Sequence, residues 1–270
     1  MSGKSKAAFT DHTDSSSSSS SAAPPSFNEA IQSAPPPLFK SRFATISREG
    51  YDRIILINFS EAEIAAIHEA VRTNWQRGID RVQPRGSSRE IKLKGRPWTH
   101  TKNGDEPAIL LTLRMMEALY GLGWVLYSAI EVTKKIATKD SLVFRKQDHT
   151  PQPCDWITVS FHSGDKLKIL NSPPADLVND IVGAFVAHLQ RYELTPERAK
   201  LKFKGWPWSP GSQEAVNTQV KLLSLLEVLE QHGFTLYARM AARYDDEVHE
   251  ANVSVFQRRQ GWVPTKAPAQ

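Results

Sequence analysis

Two stretches of this chain repeat each other closely enough to dictate its architecture. Ile91-Lys92-Leu93-Lys94-Gly95-Arg96-Pro97-Trp98 recurs 110 positions later as Leu201-Lys202-Phe203-Lys204-Gly205-Trp206-Pro207-Trp208. The same spacing carries Leu113, Glu117, Leu119, Gly123, Leu126 and Tyr127 onto Leu223, Glu227, Leu229, Gly233, Leu236 and Tyr237 without a gap. A self-match at a fixed offset, over polar and apolar positions alike, marks a duplicated folding unit. Farther out, Leu142-Val143-Phe144 meets Ser254-Val255-Phe256 two positions late, and Gln76-Arg77 meets Gln190-Arg191 at an offset of 114, so the copies differ chiefly in their loops.

Each copy resolves into elements. Strands run into polar, Gly-containing turns at 46–50 and 159–164 and return through Ile54–Phe59 and Leu167–Leu170, which predicts a hairpin in each copy. Ser60 and Glu63 have capping-box spacing, and Ser172-Pro173 sets a cap before a first-turn proline. The helices that follow carry apolar stripes at Ile64, Ile67, Val71 and Trp75, and at Val178, Val182, Phe185 and Leu189. The next strand alternates strictly, with Ile91 and Leu93 opposite Lys92 and Lys94, and Leu201 and Phe203 opposite Lys200, Lys202 and Lys204. Second helices follow on Leu113, Met116 and Leu119 and on Leu223, Leu226 and Leu229, ending at Gly123 and Gly233, and two strands close each copy.

The unit is therefore β-β-α-β-α-β-β, an α+β fold with an antiparallel or mixed sheet and both helices on one face. The expected organisation is a Ser/Pro-rich disordered tail over 1–40, a first repeat over 41–148, a Pro-containing linker over 149–153, a second repeat over 154–262 and a disordered terminus over 263–270. The tail holds the serine run Ser15–Ser21 and too little apolar surface to offset the entropy of ordering.

Composition narrows the classes of function. Cys154 is the single cysteine, which excludes an internal disulfide framework and suits a reducing compartment, cytoplasmic or nuclear. No apolar stretch of signal-peptide or membrane-spanning length occurs, so a soluble protein is expected. The eight histidines fall in no metal-ligand spacing, and no nucleophile elbow, phosphate loop or dinucleotide fingerprint is present, so no catalytic residue, metal ligand or cofactor is assigned.

Two surfaces attract attention instead. In the Gly-x-Pro-Trp turn, Trp98 and Trp208 read as core plugs, whereas Trp206 stands where the first copy has Arg96 and should be exposed as a contact residue. On the polar sheet face, Lys92, Lys94 and Tyr127, with Lys200, Lys202, Lys204, Tyr237 and Arg239, combine cations with rings, a pairing that suits single-stranded nucleic acid. The leading expectation is a non-enzymatic binding or adaptor protein for a protein partner, presenting a composite surface from both repeats. The alternatives are an RNA or single-stranded-DNA binder on the basic sheet face and a small-molecule enzyme with its site between the copies.

Overall fold

The computed structural model describes residues 42–98, 106–130, 138–209, 211, 214–242 and 251–264. The tail over 1–40, most of the C-terminal stretch over 263–270, His100 and the acidic trio Asp245, Asp246 and Glu247 lie outside them. The first copy contains β1 (Phe43–Glu49), β2 (Arg53–Ile57), α1 (Glu61–Asn74), β3 (Ile79–Arg85), β4 (Ser88–Leu93), α2 (Glu106–Gly121), β5 (Trp124–Ile130) and β6 (Thr138–Lys146). The second contains β7 (Cys154–His162), β8 (Lys166–Leu170), α3 (Ala175–Phe185), β9 (Leu189–Thr195), β10 (Arg198–Phe203), α4 (Ala215–Gln231), β11 (Thr235–Ala242) and β12 (Ala251–Arg259).

Each copy folds into one six-stranded sheet with every neighbouring pair antiparallel, ordered β3-β4-β2-β1-β6-β5 in the first and β9-β10-β8-β7-β12-β11 in the second. The tandem α+β duplication is as the sequence predicts, with one strand more per copy. The added strand is an edge. β3 is largely exposed and contains Asp80, Arg81, Pro84 and Arg85, the polar and proline content that marks an edge strand and hides it from a periodicity search. In the second copy the helical stripe read through Leu189 ends at Phe185. A short 3₁₀ turn, Val186–His188, follows, and buried Leu189 opens β9.

The edge strands also correct the register. Arg81 pairs with Lys92 and Arg191 with Lys202, so Arg191 corresponds to Arg81 and the 110-residue offset runs straight through. The match of Gln76-Arg77 with Gln190-Arg191 is coincidental. The true length difference lies at the first helix, where the hairpins differ by 113 positions and α1 has 14 residues against 11 in α3. The capping box exists only in the longer one: Ser60 accepts from the Glu63 amide and Glu63 accepts from the Ser60 amide at 2.8 Å. The cap read at Ser172 is not formed, because Ser172 sits at φ +52 and Pro174 precedes the helix without a side-chain cap.

Glu63 does more than cap. It is buried and also accepts from Trp124 Nε1 at 2.9 Å and Lys146 Nζ at 3.0 Å. Burial pushes its carboxyl up, and these hydrogen bonds outweigh that and hold it at about 2.

The two copies share a core. On the helix face of the first sheet, Ile46, Ile54, Leu56, Ile91, Leu93 and Phe144 pack with Ile67 and Val71 of α1 and Leu111, Met115 and Leu119 of α2. The same apolar cluster continues through α2 into Trp156, Leu170, Met240, Val253 and Val255 of the second sheet. The opposite face of that second sheet carries Ile157, Val159, Leu167, Ile169, Leu201 and Phe203 against α3 and α4. The molecule is thus a stack of four layers: first sheet, α1 and α2, second sheet, α3 and α4. Burial on both sides explains why Leu113, Met116 and Leu119 are all buried in α2. In α4, which has only one neighbouring layer, the inward residues are Leu225 and Leu229, and Leu223 of the expected stripe faces solvent. Among the described residues no helix is long and apolar enough to cross a membrane.

Candidate functional site

The Gly-x-Pro-Trp turns pack against the hairpin loops in both copies. The Trp98 amide donates to Tyr51 O and the Trp208 amide to Gly164 O, so Tyr51 and Gly164 occupy equivalent places. Trp98 is buried, with its Nε1 donating to Arg53 O at 3.2 Å and Arg48 over its ring. Trp208 is only half-buried, against Phe161 and Phe203 at 4.6 and 5.1 Å. Trp206 is 67% exposed, as the comparison of copies predicts. Its ring edge lies on Gly164, where a Cβ would come within 3.0 Å of it. In the first copy Tyr51 supplies the ring and Arg96 lies over it at 5.4 Å. The aromatic group has changed sides of the same contact.

The expected basic sheet face is not one surface, because its members sit on two sheets with α2 between them. Lys92 pairs with Asp80 at 3.0 Å within the first sheet. Lys200 meets Glu106 at 3.1 Å, together with Lys168 at 2.9 Å and Arg198 at 3.0 Å, so three cations of the second sheet face one carboxylate at the start of α2. Burial pushes the Glu106 carboxyl up, and the lysines beside it reverse that and lower it. Lys202 lies 3.7 Å from Asp165, and Lys204 donates to Ala187 O at 3.1 Å. Lys94 and Arg239 are exposed. What remains is a shallow cleft of about 540 Å³ at the outer end of the second sheet, lined by His162, Lys166, Arg191, Tyr192, Lys200 and Lys202.

The two tyrosines have opposite environments although they occupy one position. Tyr237 lies inside the stack, edge-to-face with Trp156 at 4.8 Å and with Tyr120 of α2 at 5.9 Å, and its hydroxyl accepts from the Leu126 amide at 2.7 Å. Burial pushes Tyr120 and Tyr237 up to about 12. Tyr127 is 63% exposed on the outer face of the first sheet, edge-to-face with Phe43 at 5.4 Å.

The strand registers extend this correspondence across the whole face. Thr45 pairs with Ile57 and Val143, and Thr158 pairs with Leu170 and Val255. Phe43 therefore corresponds to Trp156, Ile57 to Leu170, Val143 to Val255 and Ile130 to Met240, with the same bulge before Ser128 and Ala238. The second-sheet members are buried against the first copy. Their first-sheet counterparts Phe43, Ile57 and Ile130 are 39%, 41% and 42% exposed. This aromatic and aliphatic band is the candidate site. The repeat contained the signal that locates it, but only the burial of one copy reveals that the other is bare.

Chemical machinery is sparse. Among the described residues no group of His, Cys, Asp and Glu is placed to hold a metal. A cleft of about 840 Å³ between the copies is lined by Tyr120, Cys154, Trp156, Asn171 and Arg258, and the Tyr120 hydroxyl lies 3.7 Å from Cys154 Sγ. Burial keeps the Tyr120 hydroxyl protonated, and the carboxylates at this cleft, Glu117 and Asp155, are paired with Arg114 and Arg258.

One family model matches the chain twice, over residues 42–145 and 155–257. No curated protein matches the chain. Among solved structures the chain is similar to the crystal structure of a conserved kinetoplastid-specific protein from Trypanosoma cruzi, at 14% identity and a TM-score of 0.30, over 41% of this chain and 100% of that one.

Proposed function

The chain belongs to the family whose domain it carries twice, and from that premise we propose a non-enzymatic binding or adaptor protein whose docking face is the outer surface of the first sheet. The observation that supports this reading is the exposed band of Phe43, Ile57, Tyr127 and Ile130, whose counterparts in the second sheet already form a protein interface. Contiguous apolar surface rimmed by polar groups is what recognition sites of soluble proteins present. The rim here consists of paired charges, Arg85 with Glu49 and Lys92 with Asp80, which discourage indiscriminate strand pairing. The partner is a protein with an apolar ridge.

A photo-crosslinking residue in place of Tyr127 in the full chain, exposed to an extract of the cell that makes it, tests the reading. Protein adducts should form there and not from the same residue at Glu69 on α1. Equal labelling from both positions would remove the site. A second reading, single-stranded nucleic acid on the basic cleft, is supported by Lys166 and Arg191 beside Tyr192. It requires oligonucleotide affinity that falls steeply with salt.

A further inference from the structure

The internal stack leaves two faces uncovered, and they match each other. We propose that the outer face of the first sheet docks on the outer stripe of α4 in a second copy of this chain, head to tail, repeating between molecules the interface that joins the two copies within one. This rests on the binding face assigned above and names its partner.

The stripe of α2 that faces the second sheet runs through Glu106, Leu110, Leu113, Glu117 and Tyr120. The 110-residue offset places Val216, Val220, Leu223, Glu227 and Glu230 on the same stripe of α4. Val216, Val220 and Leu223 are 67%, 55% and 58% exposed, whereas Leu113 is fully buried. Helices of a monomer do not ordinarily leave three aliphatic residues in line on the solvent side. Leu236, the counterpart of the Leu126 whose amide donates to the Tyr237 hydroxyl, is likewise exposed.

The polar contacts correspond as well. Asn171 donates to Trp156 O within the second copy and to Glu117 across the internal interface. Asn58 makes the equivalent bond to Phe43 O and is exposed, and Glu227 stands ready for it on α4. The ion cluster at Glu106 has apolar counterparts on the two outer faces. Register puts Ile55 where the second sheet has Lys168, and Val216 stands where α2 has Glu106. Both counterparts of the charge pair are thus aliphatic; Val216 is exposed, and Ile55 lies buried beneath the exposed band beside Ile57. Glu230 in place of Tyr120 removes one ring, so the contact between molecules is the weaker of the two and reversible.

A head-to-tail contact uses two different faces, which gives it a distinctive test. In sedimentation velocity the full chain should gain mass between about 1 and 100 μM. Tyr127→Asp, which disables the sheet face, and Leu223→Asp, which disables the helix face, should each be monomeric. Their equimolar mixture should form a dimer and stop there. Val220→Asp replaces Leu223→Asp if that variant melts early. A parent chain that stays monomeric throughout, a helix variant that still self-associates, or an inert mixture would each overturn the proposal. A monomeric parent whose position 127 still crosslinks to another protein would leave the binding reading standing and remove only the self-docking.

Discussion

At the scale of single residues, the divergence at the Gly-x-Pro-Trp turn is compensated locally. The sequence draws attention to Trp206 because the first copy has Arg96 there. It does not show that Tyr51 and Gly164 change in concert with them, since the hairpin lies some forty residues upstream. An indole resting on a glycine and an arginine resting on a tyrosine fill the same space. Trp206→Arg should therefore cost about 1 kcal/mol or less, the range of exposed substitutions that remove no core contact. Trp98→Ala, by contrast, empties a buried site and should cost about 3–5 kcal/mol. Denaturant melts of the two variants check both. Similar losses would mean that Trp206 is a structural plug like Trp98.

At the scale of elements, the contact between α2 and the second sheet is held by Glu106 facing Lys168, Lys200 and Arg198. Removing the carboxylate leaves the buried Lys168 without it, and Glu106→Val alone should destabilise by about 3 kcal/mol. Glu106→Val with Lys168→Ile should come back to within about 1 kcal/mol of the parent, because buried ion pairs are readily replaced by aliphatic pairs of similar volume. That pair copies Val216 and Ile55. A double variant as unstable as the single one, in the same melts, would refute it. The elements themselves were largely legible: strict alternation marked β4 and β10, the capping box marked α1, and Gly123 and Gly233 at φ +82 and +78 closed the second helices. The edge strands were not, because an exposed strand needs no apolar alternation, and Leu189 happened to continue a helical spacing. The candidate face was half legible. In the sequence Tyr127 stands out only for the lysines grouped with it, yet Lys200 is engaged by a carboxylate from another layer, and nothing in a strand's own sequence says which layer covers it.

At the scale of the whole molecule, the duplication does not yield two independent domains. Trp156, Leu170, Met240, Val253 and Val255 belong to the apolar cluster of the first copy, on the side of the second sheet away from its own helices. A second copy released from the first would expose them together with the ring group of Trp156 and Tyr237, and the first would expose the far side of α2. Cutting the chain in the linker, into 1–148 and 149–270, should therefore give two fragments that each melt below the parent and without its cooperativity. Mixed, they should regain most of the lost stability, because the interface is preformed on both sides and only its connection has been severed. Calorimetry of each fragment and of the mixture decides the point. Two fragments that unfold cooperatively at the parent's temperature would mean that the copies are separable domains and that the shared cluster contributes little. In that case the exposed band on the first sheet would also lose its best precedent, since the internal interface would no longer show that such a face binds.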